Sequence, residues 1–194
     1  MTKSDIRIRM EHPSFYLNAR GAGYKFTGTQ VMGIINVTPD SFYAGSRYRE
    51  EEALRQRVAQ IVKEGGSMID VGAYSTRPDA AEVSPQEELD RLALALPIIR
   101  EELDALGRRD ILISVDTFRA HVAEVAVTDL GADIINDVSG GTLDEEMFSV
   151  VARSKAPYIL MHMRGTPQTM QQLTDYDKPI TEAVGDFFDV QLNK

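Results

Sequence analysis

The segment 31-VMGIINVTPDSFYAGS-46 begins as an apolar run of strand length and then changes within a few residues to an amide and a Thr-Pro-Asp-Ser sequence. Similar apolar runs with polar residues behind them recur along the chain, at 68-MIDVG-72, 111-ILISV-115, 132-ADIIN-136 and 157-PYILM-161. The runs are continuous rather than alternating, which is typical of parallel strands that are buried on both faces. The segment at 31–46 therefore predicts a buried strand that ends in a functional loop.

Amphipathic helical patterns lie between these runs. Residues 50–66 place a leucine and valine stripe before a Gly pair, and 84-SPQE-87 supplies an N-cap, a first-turn Pro and an acidic third position. Strand-helix alternation predicts an α/β fold with right-handed crossovers, which is either a doubly wound sheet or a (β/α)8 TIM barrel. Only five β/α units are visible, so a barrel would be incomplete.

Ahead of the first unit, 14-SFYLNARGAGYKF-26 contains two strand-like runs around a Gly-Ala-Gly turn. This pattern predicts a β-hairpin. We therefore divide the chain into an N-terminal segment with a β-hairpin, residues 1–27, and a partial barrel domain, residues 28–194.

Composition excludes several kinds of protein. The 194 residues include no cysteine, which excludes disulfides, thiolate metal sites and a cysteine nucleophile. The net charge of -9 argues against nucleic acid or an anionic membrane as a partner, because both select clustered Lys and Arg. No apolar run is long enough to span a bilayer, and the first residues do not resemble a secretory signal, so we expect a cytoplasmic protein.

The carboxyl ends of parallel strands are where ligands bind in either architecture, so the polar strand tips are expected to form one site. Asp116 and Asn136 can read the edge of a nitrogen-rich ring through hydrogen bonds, and Arg77 can hold an anion. Each residue also has a simpler interpretation. The Thr-Pro-Asp-Ser run forms turns in many proteins, and Asp116 could cap the following helix. Only the joint occurrence at five strand ends favours a binding site.

These residues have the order and spacing of a known family. The chain resembles dihydropteroate synthases, the targets of sulfonamides, at 33-GIINVTPDSF-42, 65-GGSMIDVGAYSTRP-78, 113-ISVDTF-118, 133-DIINDVSGG-141 and 160-LMHMRGTPQTMQ-171. The resemblance implies a TIM barrel that joins 6-hydroxymethyl-7,8-dihydropterin pyrophosphate to p-aminobenzoate, with release of pyrophosphate. It also implies Mg2+ as the cofactor, bound with the pyrophosphate, and carbocation character at the reactive carbon before the amine attacks.

The resemblance also assigns roles to individual residues. Asn36 would help to hold Mg2+ and pyrophosphate, and Asn36, Arg77 and Asp116 would be the catalytic residues. Asp116 and Asn136 would line the pterin pocket, and Met161 would pack against the ring. The remaining substrate-binding residues would form two loops, the first with Thr38, Pro39, Asp40, Ser41 and Phe42 and the second with Ser75, Thr76, Arg77 and Pro78.

Some features depart from the family pattern. The family commonly has an acidic residue where this chain has Ala44, Glu where it has Tyr74, and Gly where it has Asp79. The family's sixth, seventh and eighth strands and its dimer helices have no counterpart here, so the resemblance implies that these 194 residues alone have little synthase activity and that the complete enzyme is a homodimer. Two alternatives stay open: a pterin-binding methyltransferase domain, and a non-catalytic pterin-binding fragment.

Overall fold

The computed structural model describes residues 14–37, 47–74 and 83–194, without the side chains of residues 47 and 48. Two antiparallel strands come first and are followed by alternating strands and helices. The elements are β1 (Ser14–Ala19), β2 (Ala22–Thr27), β3 (Met32–Asn36), α1 (Arg47–Lys63), β4 (Met68–Gly72), α2 (Pro85–Ala105), β5 (Leu112–Asp116), α3 (Ala120–Thr128), β6 (Ile134–Asp137), α4 (Met147–Ser154), β7 (Tyr158–Leu160), a 3-10 turn (Met170–Gln172) and α5 (Ile180–Leu192).

Strands β3 to β7 form one parallel sheet of five strands in the order of the sequence. A doubly wound sheet reverses its strand order at a switch point, whereas a barrel adds each strand beside the previous one. The described strands show no reversal, and the sheet is therefore the first part of a barrel. The predicted fold class is confirmed, including the five β/α units and the N-terminal hairpin.

The two faces of the sheet differ in chemistry because side chains alternate along a strand. On the outer face, Ile35, Ile69, Val71, Ile113 and Val115 are buried against α1, α2 and α3 in the main core. The inner face carries the other residues of the same strands, and it becomes polar toward the carboxyl ends. The apolar runs thus contain single polar residues, such as Asp70 and Ser114, whose side chains point into the barrel.

The hairpin covers the amino-terminal end of the sheet, which we call the floor. Ala19 and Phe26 of the hairpin pack against Met68, Leu112 and Ile134 of the inner face. This packing fills the barrel interior at the floor with apolar side chains. The opposite, carboxyl end of the sheet, which we call the mouth, lies away from this apolar packing.

Helix starts are set by side chains both near and far in sequence. Ser84 accepts a hydrogen bond from the Glu87 backbone N–H at 3.2 Å, as the predicted cap of α2 requires. Helix α3 begins without a cap from its own N-cap residue, and Asp144 accepts from the Ala120 N–H at 2.7 Å instead. Asp116 is therefore not the cap of α3, and its carboxylate is available to a ligand at the mouth.

No helix in the described ranges is long and apolar enough to cross a bilayer.

Candidate functional site

Strand register brings Asn36, Asp116 and Asn136 into one row at the mouth. Asn36 is paired with Gly72, Gly72 with Asp116, and Asp116 with Asn136, on four successive strands. All four residues face the barrel interior, so three polar side chains from distant parts of the sequence lie side by side.

Gly72 makes room for this row. A Cβ atom at Gly72 would lie 3.3 Å from Asn36 Oδ1 and 3.7 Å from Asp116 Oδ2. The Asn36 amide and the Asp116 carboxylate therefore lie above Gly72, in the space that a side chain would take. A flat ligand can lie across the backbone there, because nothing projects from the middle of the row.

Asp70 lies one layer below the row and was not among the predicted site residues. Its side chain is buried, and Oδ2 accepts a hydrogen bond from Asn136 Nδ2 at 3.1 Å. Because the amide nitrogen of Asn136 is engaged by Asp70, its carbonyl oxygen is the group available to a ligand. The signal that could have found Asp70 is an acidic residue in the middle of the buried run 68-MIDVG-72.

Two further polar atoms of this lower layer are buried without a hydrogen-bond partner among the described residues. They are Asp70 Oδ1 and Ser114 Oγ, and Asp70 is in register with Ser114 on the neighbouring strand. Unpaired buried oxygens cost free energy in a purely structural position. The inner face below the mouth is therefore polar in a way that packing alone does not require.

The carboxyl group of Asp116 has an unusual charge environment. Its pKa is raised to about 7, chiefly by burial and in part by the like charges of Asp70, Glu88 and Asp137. Within the described residues Asp116 has no ion-pair partner. Near neutral pH the group can therefore either accept a hydrogen bond as a carboxylate or donate one as an acid, and a cationic ligand would favour the carboxylate.

The far side of the mouth is apolar. Ile159 of β7 is in register with Asn136, and Met161 follows on the same face, with both side chains partly exposed toward the interior. A thioether and an aliphatic side chain can pack on the face of a ring whose edge is bound by Asp116 and Asn136. The predicted contact of Met161 with a pterin ring stays a prediction.

His162 points away from this row and packs between aromatic rings. Its ring centroid lies 4.9 Å from that of Phe187 and 6.2 Å from that of Tyr176. These contacts join the end of β7 to α5 and to the loop before it. His162 therefore supports the end of this strand through its ring contacts.

The two substrate loops fall outside the described residues. The first comprises Thr38, Pro39, Asp40, Ser41 and Phe42, and the second comprises Ser75, Thr76, Arg77 and Pro78. The described geometry therefore concerns the ring-binding half of the predicted site. Of the three predicted catalytic residues, Asn36 and Asp116 lie together in the row at the mouth, and Arg77 is in the second loop.

No group of three or more His, Asp or Glu side chains able to hold a metal occurs in ranges 14–37, 47–74 and 83–194. A Mg2+ ion that binds with a phosphate needs few protein ligands, because it keeps several waters and takes the rest from the substrate. Such an ion uses amide oxygens as ligands. Asn36 Oδ1, which lies over Gly72, is an oxygen of this kind.

Comparisons with known proteins give the chain a family. A family model described as "Pterin binding enzyme" matches residues 32–194. A dihydropteroate synthase of Synechocystis sp. is 46% identical over 165 residues, which are 85% of this chain and 54% of that protein. A folate synthesis bifunctional protein of Arabidopsis thaliana is 52% identical over 143 residues, which are 74% of this chain and 29% of that protein.

The fold is also that of solved members. The crystal structure of a dihydropteroate synthase from Clostridium difficile, obtained in the presence of pteroic acid, has a TM-score of 0.71 and 38% identity, and the match covers 85% of this chain and 57% of that one. The chain thus spans about half the length of that synthase. The family-model match begins at residue 32, the start of β3 and of the parallel sheet. The chain belongs to the family of pterin-binding enzymes.

Proposed function

We propose that the protein is a dihydropteroate synthase, which joins 6-hydroxymethyl-7,8-dihydropterin pyrophosphate to p-aminobenzoate and releases pyrophosphate. The observation that carries the proposal is the row of Asn36, Asp116 and Asn136 over Gly72, which suits a flat heterocycle beside an anion. The synthases among its relatives and the structure obtained with pteroic acid support it.

In this proposal the pterin ring lies across Gly72 with its nitrogen-bearing edge toward Asp116 and Asn136. The Asn136 carbonyl oxygen accepts from ring N–H donors, and Asp70 keeps the amide in that orientation. Met161 and Ile159 pack on the ring. The ring donors favour the carboxylate form of Asp116, since hydrogen bonds to a charged form stabilise it.

The electrostatics at Asp116 suit the reaction. Breaking the bond to pyrophosphate leaves positive charge on the pterin carbon, and that charge is spread over the ring. A carboxylate with no cation beside it among the described residues, and with Asp70 close enough to raise its pKa, provides a negative potential at this point. The mouth therefore stabilises the charge that develops in the transition state, and the amine attacks without a general base.

Mg2+ would offset the charge of the departing pyrophosphate. We propose that Asn36 Oδ1 is its protein ligand. Arg77 and Thr76 would bind the same pyrophosphate, and Ser75 would lie next to them in the second loop. Phe42 and Pro78 would flank p-aminobenzoate, with Thr38, Pro39, Asp40 and Ser41 completing the first loop.

The proposal extends to the setting of the enzyme. We expect small-molecule substrates, a homodimer formed through helices beyond these five β/α units, a cytoplasmic location, and no nucleic acid or membrane partner. We also divide the chain into an N-terminal segment with the hairpin, 1–27, which packs on the floor, and the partial pterin-binding barrel, 28–194. The net charge of -9 supports the expectation about nucleic acid and membrane.

Ligand titration tests the proposal. Isothermal titration of the chain with the dihydropterin pyrophosphate and Mg2+ should show binding that Asp116→Asn or Asn136→Ala weakens by at least about tenfold, because each removes a paired hydrogen bond. Asp110→Asn is the matched control, since Asp110 is an exposed partner of Arg108 far from the mouth.

A second titration separates the alternatives. With pyrophosphate and Mg2+ present, p-aminobenzoate should bind, whereas a methyltransferase domain would not take it. Little turnover is expected from these 194 residues alone, and turnover equal to that of a complete relative would contradict that expectation. Binding that is unchanged by Asp116→Asn and Asn136→Ala would refute the proposed site.

A further inference from the structure

Asp137 is a buried carboxyl group beside the row at the mouth, and the proposed reaction does not use it. It is the last residue of β6, directly after Asn136, and its exposed fraction is 0%. Because side chains alternate along a strand, Asn136 faces the barrel interior and Asp137 faces the helices. Asp137 takes part in none of the ion pairs that the described residues form. A buried carboxylate without a cation needs hydrogen-bond donors instead.

Three hydrogen bonds meet this need. Oδ1 accepts from the Ser139 backbone N–H at 2.7 Å, and Oδ2 accepts from the Gly141 backbone N–H at 2.8 Å and from the Tyr158 hydroxyl at 2.6 Å. Burial raises the pKa of Tyr158, and the bond to Asp137 raises it in the same direction, so the hydroxyl keeps its proton for this bond. One carboxylate therefore joins the turn after β6 to the first residue of β7.

The turn after β6, residues 138–141, lies against the backbone of Met161. Gly140 has a φ of +59°, and a Cβ atom there would overlap the Met161 carbonyl oxygen and lie 2.9 Å from Cζ of Phe187. The Asp137 carbonyl oxygen accepts from the Gly140 N–H at 3.1 Å and from the Met161 N–H at 3.4 Å. The place of Met161 at the mouth therefore depends on where this turn stands.

Only a carboxylate can make all three bonds of Asp137. The two backbone N–H groups can only donate, and they point at different carboxyl oxygens. An asparagine side chain has one acceptor oxygen, and its amide nitrogen cannot accept from an N–H group. Asparagine at position 137 would therefore leave one of these two buried N–H groups without a partner.

We propose that Asp137 is a positioning residue for the ring-binding part of the mouth: its carboxylate holds the turn 138–141 and Tyr158, and through them it sets where Met161 stands relative to Asn136. In the proposed function Asn136 binds the edge of the ring and Met161 packs on its face, so one buried carboxylate fixes both contacts. The link to ring binding rests on the proposed function, but the contacts of Asp137 can be tested without ligand.

NMR of methionine methyl groups and of amide exchange provides the ligand-free test. In the 194-residue chain, Asp137→Asn should shift the Met161 methyl signal. It should also speed exchange of one of the two bound backbone N–H groups by about tenfold or more, because that group loses a buried charged acceptor. The signal of Met68, which packs at the floor, should stay in place. Asp110→Asn, which changes an exposed carboxylate, is the matched control.

Gly140→Ala moves the turn without altering the carboxylate. The added methyl group would overlap the Met161 carbonyl oxygen, so the Met161 signal should shift. Gly107→Ala is the matched control, since Gly107 has a φ of +68° and no described atom lies within 4 Å of the site of its Cβ. Both substitutions strain a left-handed backbone, and only the one at Gly140 meets Met161.

Tyr158→Phe is a milder variant that serves if the others unfold. It removes one hydrogen bond to the Asp137 carboxylate and keeps the ring, so exchange of the Gly141 N–H should speed by about fivefold. Tyr16→Phe is its matched control, because the Tyr16 side chain is exposed on the hairpin. That control should leave the exchange of Gly141 unchanged.

Titration with the dihydropterin pyrophosphate and Mg2+ connects the contacts to binding. Affinity should fall by about fivefold or more in the variants that shift the Met161 signal, and Gly107→Ala should keep it. Met161 signals and Gly141 exchange rates that match the controls in all three variants overturn the positioning role. Unchanged affinity in a variant with a shifted Met161 signal overturns the link to ring binding. An unmodified chain that does not bind the dihydropterin refutes the proposed function, whereas the ligand-free results still decide what Asp137 holds in place.

Discussion

Asp133 lies at the floor of the sheet and Asp116 at its mouth. Both are carboxyl groups, but the side chains around Asp133 are positively charged and those around Asp116 are negatively charged. Asp133 is completely buried and forms ion pairs with Arg20 at 2.7 Å and Arg100 at 2.9 Å. It also accepts from the Ile113 backbone N–H at 2.7 Å. Its charge is thus compensated by two arginines and one backbone N–H, as expected for a group whose role is structural.

Among the residues that the structure describes, Asp116 has none of this compensation. Its neighbours Asp70, Glu88 and Asp137 carry the same sign, and its pKa rises to about 7. A folded protein gains nothing from such a group by itself, because burial and like charge both oppose ionisation. The difference teaches that the charges at the floor stabilise the fold, whereas ionisation of Asp116 at the mouth costs free energy. Binding of a cationic or proton-donating ligand can offset that cost.

The largest expected effect is at the floor. Asp133→Asn should lower the free energy of unfolding by about 3 kcal/mol, because Arg20 and Arg100 would lose a buried partner while part of each remains in contact with water. Urea unfolding measures the loss. Asp110→Asn, which removes an exposed ion pair with Arg108, should cost less than about 1 kcal/mol. Equal losses in the two variants would contradict the comparison.

The second effect is a pH dependence at the mouth. Because the pKa of Asp116 is raised in the folded state, the folded chain binds the extra proton, and this group's contribution to stability is lost as pH rises from about 4 to about 7. Between pH 5 and 8 the contribution should fall by about 2 kcal/mol, less than the full shift implies because Asp116 is partly exposed. Urea unfolding of the unmodified chain and Asp116→Asn at both pH values should show this difference, and parallel curves would exclude it.

A third variant tests the cause of the raised pKa. Asp70→Asn removes the like charge with the largest effect on Asp116 but keeps an oxygen that can accept from Asn136 Nδ2. The pKa of Asp116 should fall toward its ordinary value by roughly one unit, since burial and the other carboxylates remain. Titration of the carboxyl carbons by NMR measures this pKa. No change on substitution would exclude Asp70 as a cause and leave burial, Glu88 and Asp137.

The smallest effect on stability is expected at Gly72. Gly72→Ala places a methyl group 3.3 Å from Asn36 Oδ1, and the Asn36 side chain is exposed enough to move aside. The free energy of unfolding should change by less than about 1 kcal/mol, whereas affinity for the dihydropterin pyrophosphate should fall because the methyl group fills the gap in the row. Unchanged affinity would show that the ring does not cross this position.

Much of the fold could be predicted because its signals are local. The apolar runs fall on β3 to β7, and 84-SPQE-87 marks the first turn of α2 within one residue. Polar residues behind each run indicated the mouth, since the carboxyl ends of parallel strands meet there. Asn36, Asp116 and Asn136 could therefore be proposed as neighbours before any geometry was known.

Other features could not be predicted because they depend on distances across the fold. The bond from Asn136 to Asp70 joins residues 66 positions apart, and the bond from Arg119 to Val83 joins residues 36 positions apart. The cap of α3 comes from Asp144 rather than from Asp116, although both are acidic residues near a helix start. A single sequence does not show whether Asp116 or Asp144 lies close enough to the Ala120 N–H to accept its hydrogen bond.

The sequence by itself determined the alternation of strands and helices and the polar strand ends, because hydrophobic periodicity, caps and turns act over a few residues. Only the tertiary structure decided which carboxyl groups are neutralised by arginine and which, within residues 14–37, 47–74 and 83–194, have other carboxylates as neighbours. The arginines that reach Asp133 and the carboxylates that surround Asp116 come from distant parts of the chain, and their effect depends on separation and burial rather than on position along the polymer.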